Sequence, residues 1–181
     1  MLQRSSRGRA SGSQARGSRA DRGPEDPTPT AIGLLARRAH SRAELRTKLR
    51  RRGFAPDAIE AALARLVERG YLDDRSFAQG LVRRRGALRG PLALSAELAA
   101  RGVDRAQADA AVAEFDPEAQ LASATRLAER LHAARPVASY QEMLNGVGTK
   151  LLRRGFPATI VRAACRSILG AQSGGKDEAP Y

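Results

Sequence analysis

The sequence predicts an all-α fold: three tandem three-helix repeats stacked into an elongated, curved array. Three observations carry this expectation. A short phrase is written three times, the residues between apolar runs are those that start and stop helices, and no segment alternates as a strand does. The phrase reads Leu49-Arg-Arg-Arg52-Gly53-Phe54, then Leu98-Ala-Ala-Arg101-Gly102-Val103, then Leu151-Leu-Arg-Arg154-Gly155-Phe156. An apolar residue stands four places before each Leu (Leu45, Leu94, Val147). Three more recur at matched distances after each Gly: Ile59/Ala108/Val161, Leu63/Val112/Cys165 and Leu66/Phe115/Ile168. Self-similarity at this period marks a stack of one supersecondary unit. Thr, Tyr and Ile are sparse while Ala, Leu, Arg and Glu dominate, a helical composition.

Residues 1–28 hold almost nothing large and apolar after Leu2. They cannot bury enough surface to offset ordering entropy, and a disordered basic arm is expected. Its Arg4, Arg7, Arg9, Arg16, Arg19 and Arg22 suit nonspecific phosphate contact. The first unit, 29–72, should place helices near 30–39, 42–52 and 56–69. Ser41 with Glu44 reads as a capping box, and Ala55-Pro56 puts Pro at a first helical position. In the second unit, 73–115, helices near 74–86, 91–101 and 105–115 follow from Asp73 or Asp74 as a cap, from Gly90-Pro91, and from Asp104 with Gln107. The third, 116–170, should run near 117–133, 139–154 and 157–169, started by Asp116-Pro117, by Ser139 with Glu142, and by Phe156-Pro157. Gly146 and Gly148 fall inside its second helix at a cost of about 1 kcal/mol each relative to Ala, so that helix should be frayed or bent. Residues 171–181 read as a second disordered tail. Each Arg-Gly pair ends a helix: Gly supplies the left-handed residue, and Arg sits where the last carbonyls favour a cation.

Each unit has roughly 50 residues, a size at which a lone core is marginal, so neighbours should lean on one another. The chain has 181 residues with 32 Lys and Arg against 19 Asp and Glu, a net charge of +13. With an isoelectric point near 11.3, this favours a polyanionic partner or an acidic protein surface. No window approaches the continuous apolar length of a membrane span, and the N-terminus lacks the apolar core of a signal peptide. One Cys excludes an internal disulfide framework, and His40 and His132 beside it make no metal cluster. A cytoplasmic, metal-free monomer without cofactor is expected. Trp is absent and aromatics are few, which argues against base-stacking platforms. Phe54 and Phe156 share a repeat slot with Val103 and read as core.

No catalytic constellation emerges. Asp73-Asp74 reads as a helix start, Cys165 aligns with Leu63 and Val112 as a small buried hydrophobe, and the two histidines sit near helix ends. The loop Arg85-Gly86-Ala-Leu-Arg-Gly90-Pro91 lacks the Gly-Lys-Ser/Thr ending and the preceding strand of a phosphate loop. As a turn with basic flanks, it could still touch a phosphate or a carboxylate through Arg85 and Arg89. The basic clusters carry more information. Arg37 and Arg38, Arg50, Arg51 and Arg52, Arg83, Arg84 and Arg85 with Arg89, and Arg153 with Arg154 lie in last helical turns. Stacking the units would bring several of them to one side. Dipole complementation explains such placement but does not require so large an excess over acids.

The sequence resembles the RecX family, bacterial regulators of the RecA recombinase. The resemblance rests on Leu34-Leu35-Ala-Arg-Arg-Ala-His-Ser41-Arg-Ala-Glu44-Leu45, on Arg-Arg-Gly53-Phe54, on Leu66-Val-Glu-Arg-Gly70-Tyr71-Leu72-Asp73-Asp74 with Phe77-Ala78, and on Glu97-Leu98 leading to Arg101-Gly102-Val103. It covers about residues 30–169. It implies a noncatalytic protein of tandem three-helix repeats that binds the RecA filament on single-stranded DNA along its groove. Such a protein modulates, mainly inhibits, ATP hydrolysis, strand exchange and coprotease action, with possible direct contact to the nucleic-acid backbone. The Asn145-Gly146-Val147-Gly148 stretch departs from the family pattern. The alternative is direct DNA binding through helix-turn-helix-like units, although the helix after each turn is apolar and poor in base-reading side chains.

Overall fold

The computed structural model describes residues 26–173, with side chains to residue 170. The expected basic arm before residue 26 and the tail after residue 173 lie outside the described residues. Among those described every regular element is helical: α1 (Thr28–Leu35), α2 (Arg42–Arg51), α3 (Pro56–Glu68), α4 (Asp74–Arg85), α5 (Pro91–Ala100), α6 (Arg105–Ala113), α7 (Pro117–Ala134), α8 (Tyr140–Met143), a π-helical segment (Leu144–Gly148), α9 (Thr149–Arg153) and α10 (Ala158–Ser173).

Caps start these helices much as the sequence suggests. Ser41 Oγ accepts Glu44 N at 3.0 Å, Asp116 Oδ1 accepts Ala119 N at 2.7 Å, and Ser139 Oγ accepts Glu142 N at 3.2 Å. Asp73, and not Asp74, is the cap of α4, through Arg75 N and Ser76 N. The boundaries differ at both ends of the array. Helix α1 starts at Thr28 because Asp26 accepts its amide at 3.0 Å and is itself held by Arg65 Nη2 at 2.8 Å. It stops at Leu35, four residues before the sequence expectation, and α10 runs on to Ser173.

The third unit's middle helix is continuous over 140–153 but widens in the middle. Its inward residues Met143, Val147 and Leu151 are all buried at strict four-residue spacing. An α-helix turns about 100° per residue, so such a row drifts off the core-facing line by roughly 40° per step. The i→i+5 turns of the π segment absorb part of that drift. At Gly148 this helix packs against α10, and a Cβ there would stand at ordinary contact distance, 3.4 Å, from Val161 Cγ1.

The buried side chains form three clusters, one under each helix trio. Leu45, Leu49, Ile59, Leu63, Leu66 and Leu72 fill the first. Phe77, Leu81, Leu94, Leu98 and Val103 fill the second, and Leu127, Met143, Leu151, Phe156, Val161 and Cys165 the third. Cys165 and Phe156 are fully enclosed; burial raises the Cys165 thiol pKa and holds it protonated.

The repeated phrase is a Schellman cap. Gly53, Gly102 and Gly155 have φ of 89°, 71° and 84°. In the second and third copies the cap closes fully. Gly102 N donates to Ala99 O and Val103 N to Leu98 O; Gly155 N donates to Leu152 O and Phe156 N to Leu151 O. Leu and the residue after Gly pack as the apolar pair that accompanies this motif. A further copy, Leu66-Val-Glu-Arg69-Gly70-Tyr71, closes α3 in the same way, with Gly70 at φ 72° and Tyr71 N on Leu66 O at 2.9 Å.

Two of these caps are also joints between units. At the end of α5, Arg101 O accepts the Ser41 hydroxyl from the start of α2 at 2.6 Å. There a Cβ on Gly102 would lie 2.4 Å from Ala43 Cβ. At the end of α9, Arg154 O accepts Gly90 N at 2.8 Å and Gly155 O accepts Leu92 N at 3.1 Å, both from the start of α5. A Cβ on Gly155 would lie 2.3 Å from Ala93 N. The three middle helices thus meet end to end, the starts of the first two each resting on the capped end of the next unit's.

Candidate partner-binding site

The first joint carries a dense polar network. Glu44, at the third position of α2, reaches Arg101 Nη1 at 2.7 Å, His40 Nδ1 at 3.0 Å and Arg38 Nη1 at 3.3 Å. Arg101 also holds Glu97 at 2.8 Å and lies 5.9 Å from the Phe77 ring centroid, and Arg85 Nη1 sits 3.2 Å from the other Glu97 oxygen. Asp74 accepts Arg42 N at 2.7 Å, a second tie from α4 to the start of α2. Burial works against ionised Glu44, but the His40 hydrogen bond with Arg38 and Arg101 holds its carboxyl below the ordinary value. Burial pushes the His40 imidazole down despite Glu44, and pushes the Asp74 carboxyl up.

Over this network runs a furrow made of three hollows that share walls. The first, about 660 Å³, is lined by Leu35, Val67, Tyr71 and Phe77 with Asp73 and Arg84 at its rim. Phe77 and Arg84 also line the second, about 410 Å³, with Leu81, Arg38, Arg85 and Arg101. Arg38 and Arg101 lead into the third, about 440 Å³, walled by Thr47, Lys48, Arg51 and Gly102. One end is apolar, with Tyr71 61% and Val67 47% exposed, and the rest is cationic. The site's acids are mostly spent inside the protein, on Arg101, Arg38, His40 and Arg85. Among the described residues Arg84, Lys48 and Arg51 make no ion pair.

Of the sequence candidates, the furrow gathers Arg38, Arg51, Arg84 and Arg85. The run Arg83-Arg84-Arg85 is split: Arg83 lines a different hollow, about 450 Å³, with Arg126 and Phe115. Arg50 and Arg52 lie on the exposed end of α2, and Arg37, Arg89 and Arg153 are exposed elsewhere. Arg154 is half-buried at the second joint, where one of its guanidinium nitrogens is enclosed. Two furrow cations were not legible as candidates. Arg101 stands alone after two alanines, so a search for clusters passes over it, although it occupies the Arg slot of the phrase. Lys48 lies one turn before Arg51, a spacing that places both on one face of α2. Arg85 does meet a carboxylate, and it belongs to Glu97 of the same chain.

Among the described residues no group of three or more His, Cys, Asp or Glu could hold a metal ion, and no helix is long and apolar enough to cross a membrane.

Comparison with known proteins places this geometry. Residues 30–66 match the model of the RecX first three-helix domain and residues 73–112 that of the RecX second three-helix domain, the two units that form the furrow. The Regulatory protein RecX of Xanthomonas axonopodis pv. citri is 39% identical over 143 residues, spanning 78% of this chain and 87% of that one. That of Stenotrophomonas maltophilia is 38% identical over 148 residues, 80% and 90% of the two chains. The crystal structure of RecX from Lactobacillus salivarius superposes with a TM-score of 0.72 at 24% identity, over 80% of this chain and 94% of that one. A second RecX crystal structure gives 0.67 at 20% identity, covering 81% and 74%. With the repeat grammar, the fold and the length of the match all in agreement, the chain belongs to the RecX family of regulatory proteins.

Proposed function

We propose that this protein binds the RecA recombinase filament on single-stranded DNA in the cytoplasm and, without catalysing a reaction itself, restrains the filament's ATP hydrolysis, strand exchange and coprotease action. The observation that carries the proposal is the furrow between the first two units: an apolar end for a protein side chain, followed by a cationic stretch in which Arg84, Lys48 and Arg51 are neutralised by no internal acid. Such a mixed surface suits a partner that is protein and polyanion at once. The sequence candidates outside the furrow, among them Arg50, Arg52 and Arg153, would contribute by charge at longer range. The deciding measurement is DNA-dependent ATP hydrolysis by the cognate recombinase with and without this protein; no change at stoichiometric amounts sinks the proposal.

Direct duplex-DNA binding is the second reading. Helix α3 speaks against it, since the solvent side carries Asp57, Glu60 and Glu68. Helix α10 favours it, exposing Thr159, Arg162 and Arg166. Sequence-selective retention on duplex DNA at moderate salt, lost in Arg162→Ala/Arg166→Ala, would favour this reading.

A further inference from the structure

The end-to-end joints leave one half-joint open at each extremity of the array. At the end of α2, Arg52 and Gly53 repeat the phrase of Arg101-Gly102 and Arg154-Gly155, and Gly53 has the same left-handed backbone. Yet a Cβ on Gly53 would meet nothing within 4 Å, and both residues are exposed. At the other extremity, the stretch from Ser139 to Glu142 starts the third unit's middle helix, the 14-residue helical run 140–153, and no later unit follows among the described residues.

The two open halves repeat the parts of the occupied first joint. There Ser41 Oγ accepts Glu44 N and donates to the carbonyl of Arg101, while the Glu44 carboxylate takes the Arg101 guanidinium. Ser139 Oγ accepts Glu142 N in the same way, which leaves its hydroxyl proton to donate. Glu142 is exposed, and among the described residues its carboxylate and the Arg52 guanidinium make no ion pair. Within one chain the two half-joints belong to the first and third units, with the second unit between them.

We propose that copies of this protein join head to tail, the Ser139–Glu142 edge of one copy seating on the Arg52-Gly53 end of the next. The Ser139 hydroxyl donates to Arg52 O, Glu142 pairs with Arg52, and Gly53 admits the incoming helix turn as Gly102 admits Ala43. The contact joins two different surfaces, so each copy keeps one half-joint free for the next and the assembly extends head to tail from copy to copy. Gln141 stands where the first joint has Ala43; its Cβ fills the same place, and its exposed amide is drawn along the helix to Asn145 Oδ1, to which Nε2 donates at 3.2 Å, which loosens the contact without blocking it. A joint of one ion pair and one hydrogen bond holds only when the effective concentration is on the order of millimolar, as it is for copies side by side on a shared scaffold.

The test is carbodiimide cross-linking of an Arg52→Lys variant, prepared as an equal mixture of light and heavy nitrogen isotopes at about millimolar concentration. Carbodiimide joins an amine to a carboxylate only in direct contact. Peptide mass spectrometry should find a link between positions 52 and 142 that carries one light and one heavy partner, and it should disappear in Arg52→Lys/Glu142→Gln. Coupling of an added small amine, glycine ethyl ester, to exposed carboxylates in a parallel sample reports that the reagent works, and retained helical circular dichroism reports the fold. Absence of the mixed-isotope link, or mixed-isotope links from position 52 to other exposed carboxylates as frequent as those to Glu142, overturns the proposal.

Discussion

Three alanine substitutions at equivalent glycines should have unequal costs, because the three caps differ in what rests on them. Each glycine sits at positive φ, so Ala carries a penalty of about 1 kcal/mol everywhere. At Gly53 nothing lies within 4 Å and that penalty is the whole effect. At Gly102 the new methyl would stand 2.4 Å from Ala43 Cβ. Ordinary carbon contacts begin near 3.5 Å, so the joint must open by roughly 1 Å. Overpacking of this kind adds about 1–3 kcal/mol. At Gly155 the methyl would meet the backbone of Ala93 at 2.3 Å, beside the Gly90 and Leu92 bonds to Arg154 O and Gly155 O. Losing two hydrogen bonds worth about 1 kcal/mol each brings the total to about 4–6 kcal/mol. For a chain of this length 1 kcal/mol moves the melting temperature by roughly 2–4 °C. Gly53→Ala should therefore melt a few degrees below the parent and Gly155→Ala more than about 8 °C below it, followed by helical circular dichroism. Ala43→Gly should recover the overpacking part of the loss at Gly102→Ala and nothing at Gly155→Ala. Equal costs at all three positions would refute the reasoning, since the glycines would then serve only the left-handed cap.

Arg84→Glu should weaken filament binding at least tenfold and lower its salt dependence, while Arg83→Glu, facing another hollow, changes it little; filament pull-down across a salt series separates them. Tyr71→Ala should weaken the same binding without altering the salt slope, because it removes an apolar anchor. Acid should loosen the first joint. His40 has a folded pKa below its ordinary value of 6.5, so the unfolded chain binds more protons and stability falls as pH drops below about 6.5. Glu44, also lowered, keeps its contribution until pH falls through the ordinary carboxylate range, and the raised Asp74 works in the opposite sense. His40→Gln should flatten urea stability between about pH 6.5 and 5 while leaving the carboxylate-range fall.

The helices and their ends were legible because the signals that make them are local. Ser41, Asp116 and Ser139 cap within three residues, and the Schellman pairs Leu98/Val103 and Leu151/Phe156 lie five apart. The joints were not legible, because they couple residues about 50 or more positions apart with no signature of their own. Glu44 illustrates the difference. Its spacing from Ser41 suggests a capping box, but its carboxylate is used on His40, Arg38 and Arg101, the last reached only through the fold. The Arg83-Arg84-Arg85 run misled for a geometric reason: consecutive helical residues point about 100° apart, so a run in sequence is not a patch in space. The cap at Arg69-Gly70-Tyr71 escaped notice as a repeat because it falls outside the 50-residue period, and Tyr71 is exposed where the other copies turn theirs inward, Leu72 having taken the core position.

The end-to-end seating of the middle helices also makes α5 a ruler. Both joints touch this one element, Gly90 to Ala93 at its start and Arg101 with Gly102 at its finish. Their separation is then the rise of ten residues, about 15 Å at 1.5 Å each. The outer helices do not enter that distance, which is how α1 with 8 residues and α7 with 18 coexist in one array. Lengthening an outer helix would thicken a unit, whereas four residues added to α5 would move its neighbours about 6 Å apart and rotate them by roughly 40°, enough to shift the cations of one unit out of line with those of the next.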